Sequence, residues 1–367
     1  MIHSKGVRNT YLYLPVLLIA LTLFSCFEEV KMPPSSDPPP KGKNEKGLYI
    51  GGTAMNENGV PVASYWKDGV PINLSATYQD AVFYNSVGFG MAMSGNDVYV
   101  CGVLYTSKGN IPAYWKNGVP VVLTPGTGQA TGIDVVGNNV YVCGVLQADD
   151  GSNYGVVWKN GVISYLTQGE TYSVANALVV SGQNVHVGGY TVQDGKTYAT
   201  YWKNGTPTFL TAGDNFAHVQ SLAIAGNIVY AAGRELGTDV GMYWKNGQVV
   251  NLTDGSSQVT ISAVCTKGHD VYVAGRRRNG DASELVVWKN NNVIITTPAP
   301  MNSFDIQIQA VSVYQSTVLV TGLVIFRNEN SSIYTNATLW TNGEPETLTQ
   351  GADGINGYFA NSIVVKN

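Results

Sequence analysis

From Gly47 onward the chain runs as short segments in which apolar and polar residues alternate, broken at short intervals by Gly, Asn and Asp. Residues 175–180, 184–190, 199–203 and 207–211 give the order once in full. Each segment is rich in Val, Ile, Tyr and Thr, and a period of two with that composition predicts a half-buried strand. Asn204-Gly205 stands between the third and fourth segments. Both residues tolerate positive φ, which a two-residue type I′ hairpin requires, so the pair predicts a tight antiparallel connection. Ser94-Gly95-Asn96-Asp97 and Ala225-Gly226-Asn227 mark an equally tight turn between first and second segments. No helical period follows the first few dozen residues, so the pattern predicts an all-β chain.

The pattern repeats. Tyr-Trp-Lys-Asn-Gly occurs unaltered at residues 114–118, 201–205 and 243–247, with near-copies at 65–69, 157–161, 287–291 and 339–343. Every tryptophan belongs to one copy: Trp66, Trp115, Trp158, Trp202, Trp244, Trp288 and Trp340, spaced 42 to 52 residues apart. A four-strand unit repeating at that period predicts one propeller blade per unit, and seven in all. Residues 47–53 match a second strand, whereas residues 360–366 match a first strand. The C-terminus is therefore expected to supply the innermost strand of the blade that the N-terminus begins, which closes the ring without an unpaired edge.

The residues before Gly47 read differently. Lys5 and Arg8 precede an apolar run from Tyr11 to Leu23, followed by Ser25-Cys26. A basic stretch, an apolar core too short for a stable span and a small residue before the cut describe an export signal. Ending in Leu-Phe-Ser-Cys, it resembles the signal of bacterial lipoproteins. That resemblance implies a signal peptide over 1–25 and lipid on Cys26, hence membrane association through the anchor. Glu28-Glu29 resembles the acidic signal for surface export, which implies an outer-membrane, surface-exposed location. Pro33, Pro34, Pro38, Pro39 and Pro40 make residues 26–46 a tether, of up to about 60 Å in polyproline geometry. Residues 47–367 are then the propeller.

Composition narrows the partners. The net charge is −4 and only 13% of residues are charged, so the electrostatic footprint of a nucleic-acid binder is missing. A monomer is expected. Cys101 and Cys143 fall at the same place in consecutive blades and Cys265 lies in an inner strand, which predicts three buried free thiols. His3, His186, His218 and His269 are dispersed. No metal-ligand spacing, nucleophile motif or phosphate loop is present, so no metal and no cofactor is expected. Seven equivalent tryptophans predict scaffold rather than site, each ring filling the gap between neighbouring blades.

Candidate chemistry follows from blade geometry. First-to-second and third-to-fourth connections are short, so one face of the ring should be plain. The other face should carry the longer second-to-third connections (56–59, 147–153, 235–239, 276–283, 326–335) and fourth-to-first connections (75–85, 212–217, 298–306). Variable loops on a rigid frame are where function concentrates. Aligned inner strands place Asn176, Gln220, Gln309 and Asn361 at one level, with Thr131, Ser262 and Phe89 in the remaining blades. Upstream stand Tyr84, Tyr172, Phe216, Phe304 and Tyr358. A polar ring beneath an aromatic rim suits a neutral polar ligand such as a sugar, since rings stack on CH faces and amides bond hydroxyls. Arg234, Arg276, Arg277 and Arg278 belong to the same face and could meet an anionic group.

The run from Tyr114-Trp115-Lys116-Asn117-Gly118 through Leu123-Thr124, with Gly95-Asn96-Asp97-Val98-Tyr99-Val100 before it, resembles a repeat of bacterial surface and secreted propeller proteins of unassigned function, kelch-like in layout. The resemblance covers nearly all of 47–367 and implies a fold, not an activity. Asp150-Gly151 and Asp194-Gly195 lie too far from Trp158 and Trp202 for a sialidase box, and Gly follows rather than precedes Trp in the repeat, unlike a quinoprotein repeat. The reading is a non-catalytic binding module for a glycan or protein. A polysaccharide hydrolase or lyase using carboxylates of the same face, and a structural subunit of an envelope complex, are its alternatives.

Overall fold

The structure, a computed structural model, describes residues 47–74, 82–168, 171–330, 332–349 and 358–366. The export signal, Cys26 and the tether lie outside the described residues. The described residues form seven four-stranded antiparallel sheets and no helix. Blade one carries Trp66 and blade seven Trp340. The strand Phe359–Lys366 pairs antiparallel with Gly47–Met55 and is the innermost strand of blade one, so the expected closure is present.

The strands follow the sequence pattern but reach further toward the loop-rich face. In blade four they run Tyr172–Ser181, Asn184–Gln193, Lys196–Lys203 and Thr206–Phe209. One expectation fails in an instructive way. Second-to-third connections are long in blades one, three, five and seven, whereas blades two, four and six turn within two residues, at Ser107-Lys108, Asp194-Gly195 and Gly280-Asp281. Residues 276–283, expected as a loop, are mostly strand: Arg276, Arg277 and Arg278 sit inside Asp270–Asn279 and pair across to Leu285, Glu284 and Ser283. A run of Arg and Asn gave no strand signal, yet the neighbouring strand supplies the hydrogen bonds and carboxylates that hold it extended.

Each tryptophan is 0–1% exposed and packs between blades. Among the described residues, Trp66 and Trp158 reach back to the preceding blade through the indole N–H, to Thr349 Oγ1 at 2.9 Å and to Thr124 Oγ1 at 2.7 Å. A buried ring of that size stands in the apolar cluster at every blade junction. Cys101 and Cys143 are fully buried and unbridged. Burial raises both thiols, Cys143 to about 12, so neither is a ready nucleophile at neutral pH.

The plain face is stitched by one device used seven times. The first turn residue, Asp68, Asn117, Asn160, Asn204, Asn246, Asn290 or Asn342, has φ between 47° and 51°. Its side-chain oxygen accepts from the backbone N–H at the start of the second strand, as Val185 N–H donates to Asn204 Oδ1 at 2.8 Å and Leu48 N–H to Asp68 Oδ1 at 2.9 Å. The turn residue therefore does two things at once: it adopts left-handed backbone and it ties the third strand's end to the second strand.

Candidate functional site

Inner strands begin, and second strands end, on the loop-rich face. In every blade the register between these two strands slips at one shared level. The residue extruded by the slip is Asn176, Gln220, Ser262, Gln309, Asn361 or Thr131, and in blade two the slip takes in Phe89 and Gly90. These are the residues that sequence alignment placed in the polar ring. A β-bulge re-aims one side chain and sharpens the local twist; repeated seven times, it builds a ring of re-aimed side chains.

The bulge explains a glycine in the middle of each second strand. A Cβ on Gly189 would lie 1.9 Å from the carbonyl oxygen of Val174, and one on Gly233 would lie 2.0 Å from that of His218. The carbonyl two residues before the bulge is pressed against the opposing Cα, and no side chain fits.

Three ring members use their polar atoms on the scaffold. Asn176 Nδ2 donates to Val219 O at 2.8 Å, Asn361 Nδ2 to Gly88 O at 2.8 Å, and Thr131 Oγ1 to Ala175 O at 2.7 Å. In each case the acceptor is the residue just before the bulge of the next blade. The ring is thus partly a set of blade-to-blade staples. Gln220 raises the pKa of His218 by hydrogen bonding, opposing the larger effect of burial, and Gln309 is half-buried without a described partner.

The aromatic rim divides into two kinds. Tyr172 and Phe216 are joined through Tyr190: Tyr172 Oη lies 3.3 Å from Tyr190 Oη and accepts from Asn153 Nδ2 at 3.0 Å, while Tyr190 and Phe216 have ring centroids 5.4 Å apart. Phe216 continues to His218 at 5.7 Å. This row is packed against the blade four–five junction. Tyr84 and Phe304 are different. Each is extruded by a second bulge, between Phe83 and Asn85 and between Ser303 and Asp305, on the two 12-residue inner strands Phe83–Ser94 and Ser303–Tyr314. They are 46% and 43% exposed, and Arg327 lies over the Phe304 ring at 4.3 Å. Tyr358 is half-buried, and its carbonyl accepts from Thr335 Oγ1 at 3.3 Å.

The arginines are unequal. Arg276 is ion-paired with Asp305 Oδ2, and Arg278 lies 3.8 Å from the same oxygen. Ser283 Oγ donates to Asp305 Oδ1 at 2.6 Å. Arg277 points the other way and pairs with Glu284. Arg234 makes no ion pair among the described residues. It sits directly across from His218 in the strand pairing. Burial, then the neighbouring Arg276, pulls its pKa below the ordinary arginine value. His218 is 6% exposed; burial first and Arg234 second lower its pKa to about 4, so it is neutral at physiological pH. Tyr190, His218 and Asp305 were not legible as site residues. For Tyr190 the signal is positional: like Arg234 it follows the second-strand glycine, and that position faces the next blade.

On the plain face a cleft of about 500 Å³ between blades two and three is lined by Asp97, Tyr99, Tyr114, Lys116, Asn138 and Asn160. Most of these are repeat residues, and Lys116 pairs with Asp97 at 2.9 Å over the Tyr99 ring; the cleft is a by-product of the scaffold.

No protein-family profile and no curated protein matches the chain. Among solved structures it is similar to TolB from Acinetobacter baumannii (15% identity, TM-score 0.42, covering 67% of this chain and 61% of that one). It is also similar to a puromycin-hydrolysing peptidase of Mycobacterium tuberculosis (13%, 0.48, 83% and 52%) and a post-proline cleaving enzyme from Rickettsia typhi (10%, 0.47, 86% and 54%). The chain therefore spans between about half and three fifths of those proteins' lengths. The propeller assignment stands on the sheet topology, and these distant likenesses add nothing about chemistry.

Proposed function

We propose that the chain is a non-catalytic binding module working outside the cytoplasm, held to a bacterial outer membrane by lipid on Cys26, and that it takes a glycan on the loop-rich face at the mouth of the ring. The observation that carries this reading is the pair of second bulges that expose Tyr84 and Phe304 at the starts of two inner strands. Exposing large aromatic rings on strands otherwise built to bury apolar residues disfavours the free protein unless something covers them; Arg327 covers one side of Phe304, and sugar CH faces stack on the ring surface that remains. Gln309, further along the same strand as Phe304, supplies an amide below that ring. Asp305 and Glu284, the carboxylates built into this face beside the arginines, are both ion-paired, whereas a glycosidase needs two working carboxyl groups about 5 to 10 Å apart.

A glycan array probed with the full-length chain in mild detergent tests the reading. Binding that is lost in Tyr84→Ala and Phe304→Ala, with melting unchanged, is the expected result; no binding to any glycan, or binding indifferent to both substitutions, overturns it. The anchor is tested separately. Cys26→Ser should move the chain from the membrane to the soluble fraction, and unchanged partitioning would remove the lipid from the account.

A further inference from the structure

Of the eight buried side-chain polar atoms that lack a hydrogen-bond partner among the described residues, three belong to one small region: His218 Nδ1, Arg234 Nε and Arg278 Nε. An unpartnered buried polar atom is costly and rare; the two Nε–H groups are donors that lack an acceptor, and His218 Nδ1 joins them in the tautomer that carries its proton. The charges agree. Arg234, Arg276 and Arg278 converge on blades five and six, and Asp305 of blade seven is the carboxylate that Arg276 and Arg278 meet. Asp305 is fully occupied: Oδ2 faces Arg276 and Arg278, while Oδ1 accepts from Ser283 Oγ and from its own neighbour, Ile306 N–H at 2.8 Å. Arg234 is left facing another guanidinium, with burial and that neighbour disfavouring its charge. A scaffold has no use for such an arrangement, because removing Arg234 would relieve repulsion and desolvation together.

Next to the unneutralised charge lies an aromatic surface. Phe216 is half-buried and in ring contact with His218, which pairs across the sheet with Arg234. An oxyanion receptor beside a stacking ring matches one ligand class: a sugar ring bearing a carboxylate.

We propose that Arg234, with His218 and Arg278 beside it, receives the carboxylate of an acidic sugar, so that the glycan taken by the loop-rich face is a uronate-containing one. This rests on the glycan reading above and adds the charge. A carboxylate placed there accepts from guanidinium N–H groups, neutralises the excess positive charge and gives the buried donors an acceptor. His218 contributes as a neutral ring donor, in the tautomer that carries the proton on Nδ1.

The test compares tri-galacturonate, galactotriose and a hexaglutamate peptide on the full-length chain in detergent, by calorimetric titration and thermal melting. Tri-galacturonate is expected to bind at least tenfold more tightly than galactotriose and to raise the melting temperature. Arg234→Met is expected to lose that preference, to keep binding the neutral sugar, and to melt at the same temperature as the wild type or higher in anion-free buffer. Should Arg234→Met fail to fold, Arg234→Gln takes the same readings. Equal affinity for acidic and neutral sugars overturns the carboxylate site and leaves the glycan reading standing. Binding of hexaglutamate with neither sugar bound overturns both the sugar assignment and the glycan reading. A melting temperature lowered by several degrees in Arg234→Met, with the preference intact, assigns Arg234 to the scaffold and overturns the proposal.

Discussion

On the plain face, seven third-to-fourth turns repeat one geometry, with the same left-handed residue and the same side-chain oxygen on the second strand. On the opposite face the same seven units differ in connection length, in the number of bulges and in charge: two blades carry a second bulge, and blades five and six carry the arginines. Positions that had to close the ring stayed uniform. Those at the mouth were free to vary because each blade is held from below by its turn, from the side by its tryptophan and from within by its bulge. The bulge belongs to both regions: as a backbone feature it is uniform, and as a side chain it differs from blade to blade.

The comparison breaks most completely at the closure. Deleting residues 358–367 removes the innermost strand of blade one, leaving the edge of Gly47–Met55 unpaired and uncovering the faces of blades seven and two that pack on the lost strand. The expected outcome is loss of the cooperative melt and of monomeric elution in size exclusion; a deletion that melts like the wild type would show that the ring closes without that strand.

Next in size are the second-strand glycines. Gly189→Val forces a side chain into the Val174 carbonyl and is expected to destabilise by at least ~3 kcal/mol in denaturant unfolding. Gly205→Ala, at φ +83° in an open turn with nothing near its Cβ, should cost only about 1 kcal/mol. Equal effects would mean that the bulge, not the glycine, yields.

His218 should give the loop-rich face a pH signature that the plain face lacks. In the folded chain it stays neutral down to about pH 4, whereas unfolded it protonates near its ordinary value of 6.5. Below pH 6.5 the unfolded state therefore binds the extra proton, so stability falls from there to about pH 4 and levels off beneath it. The expected loss is on the order of 3 kcal/mol across that window. Difference unfolding curves of His218→Phe against wild type, taken from pH 7 to 4, should show that much less pH dependence in the variant. Parallel curves would place the histidine in contact with solvent.

The smallest effect lies in the repeated turn. Asn204→Ala loses the Val185 N–H acceptor and leaves alanine at φ +51°, so about 1 to 2 kcal/mol of destabilisation is expected from denaturant midpoints. The same substitution at Asn246 should match it closely, because the two turns are geometrically equal. A large disagreement between them would end the claim that the plain face is uniform.

Much of this was readable in advance. The tryptophan period gave the blade count, Asn-Gly gave the turns, and the mismatch between residues 47–53 and 360–366 gave the closure. Inner-strand alignment even found the ring, because polar residues recurred at one level in an apolar strand. It did not reveal that the level is a bulge, although the glycine opposite was visible in every copy. An extra residue leaves alternation intact on either side, so a pattern of period two does not display it. Arg276–Arg278 were misread as a loop for a related reason: strand propensity is judged from side chains that bury, and these extend because Asp305 and Glu284 hold them.

Local chemistry alone determined what repeats, since turn geometry, strand alternation and a large ring at a fixed place are properties of a few neighbouring residues. Tertiary structure decided what happens between blades. Whether Asn176 faces the channel or a neighbour's carbonyl, and whether Arg234 is neutralised, depends on residues about 40 to 70 positions away that only the packing of blade on blade brings into contact. Electrostatic and hydrogen-bond partners act through space at a few ångströms, and no spacing along one chain encodes which blade will lie beside which side chain.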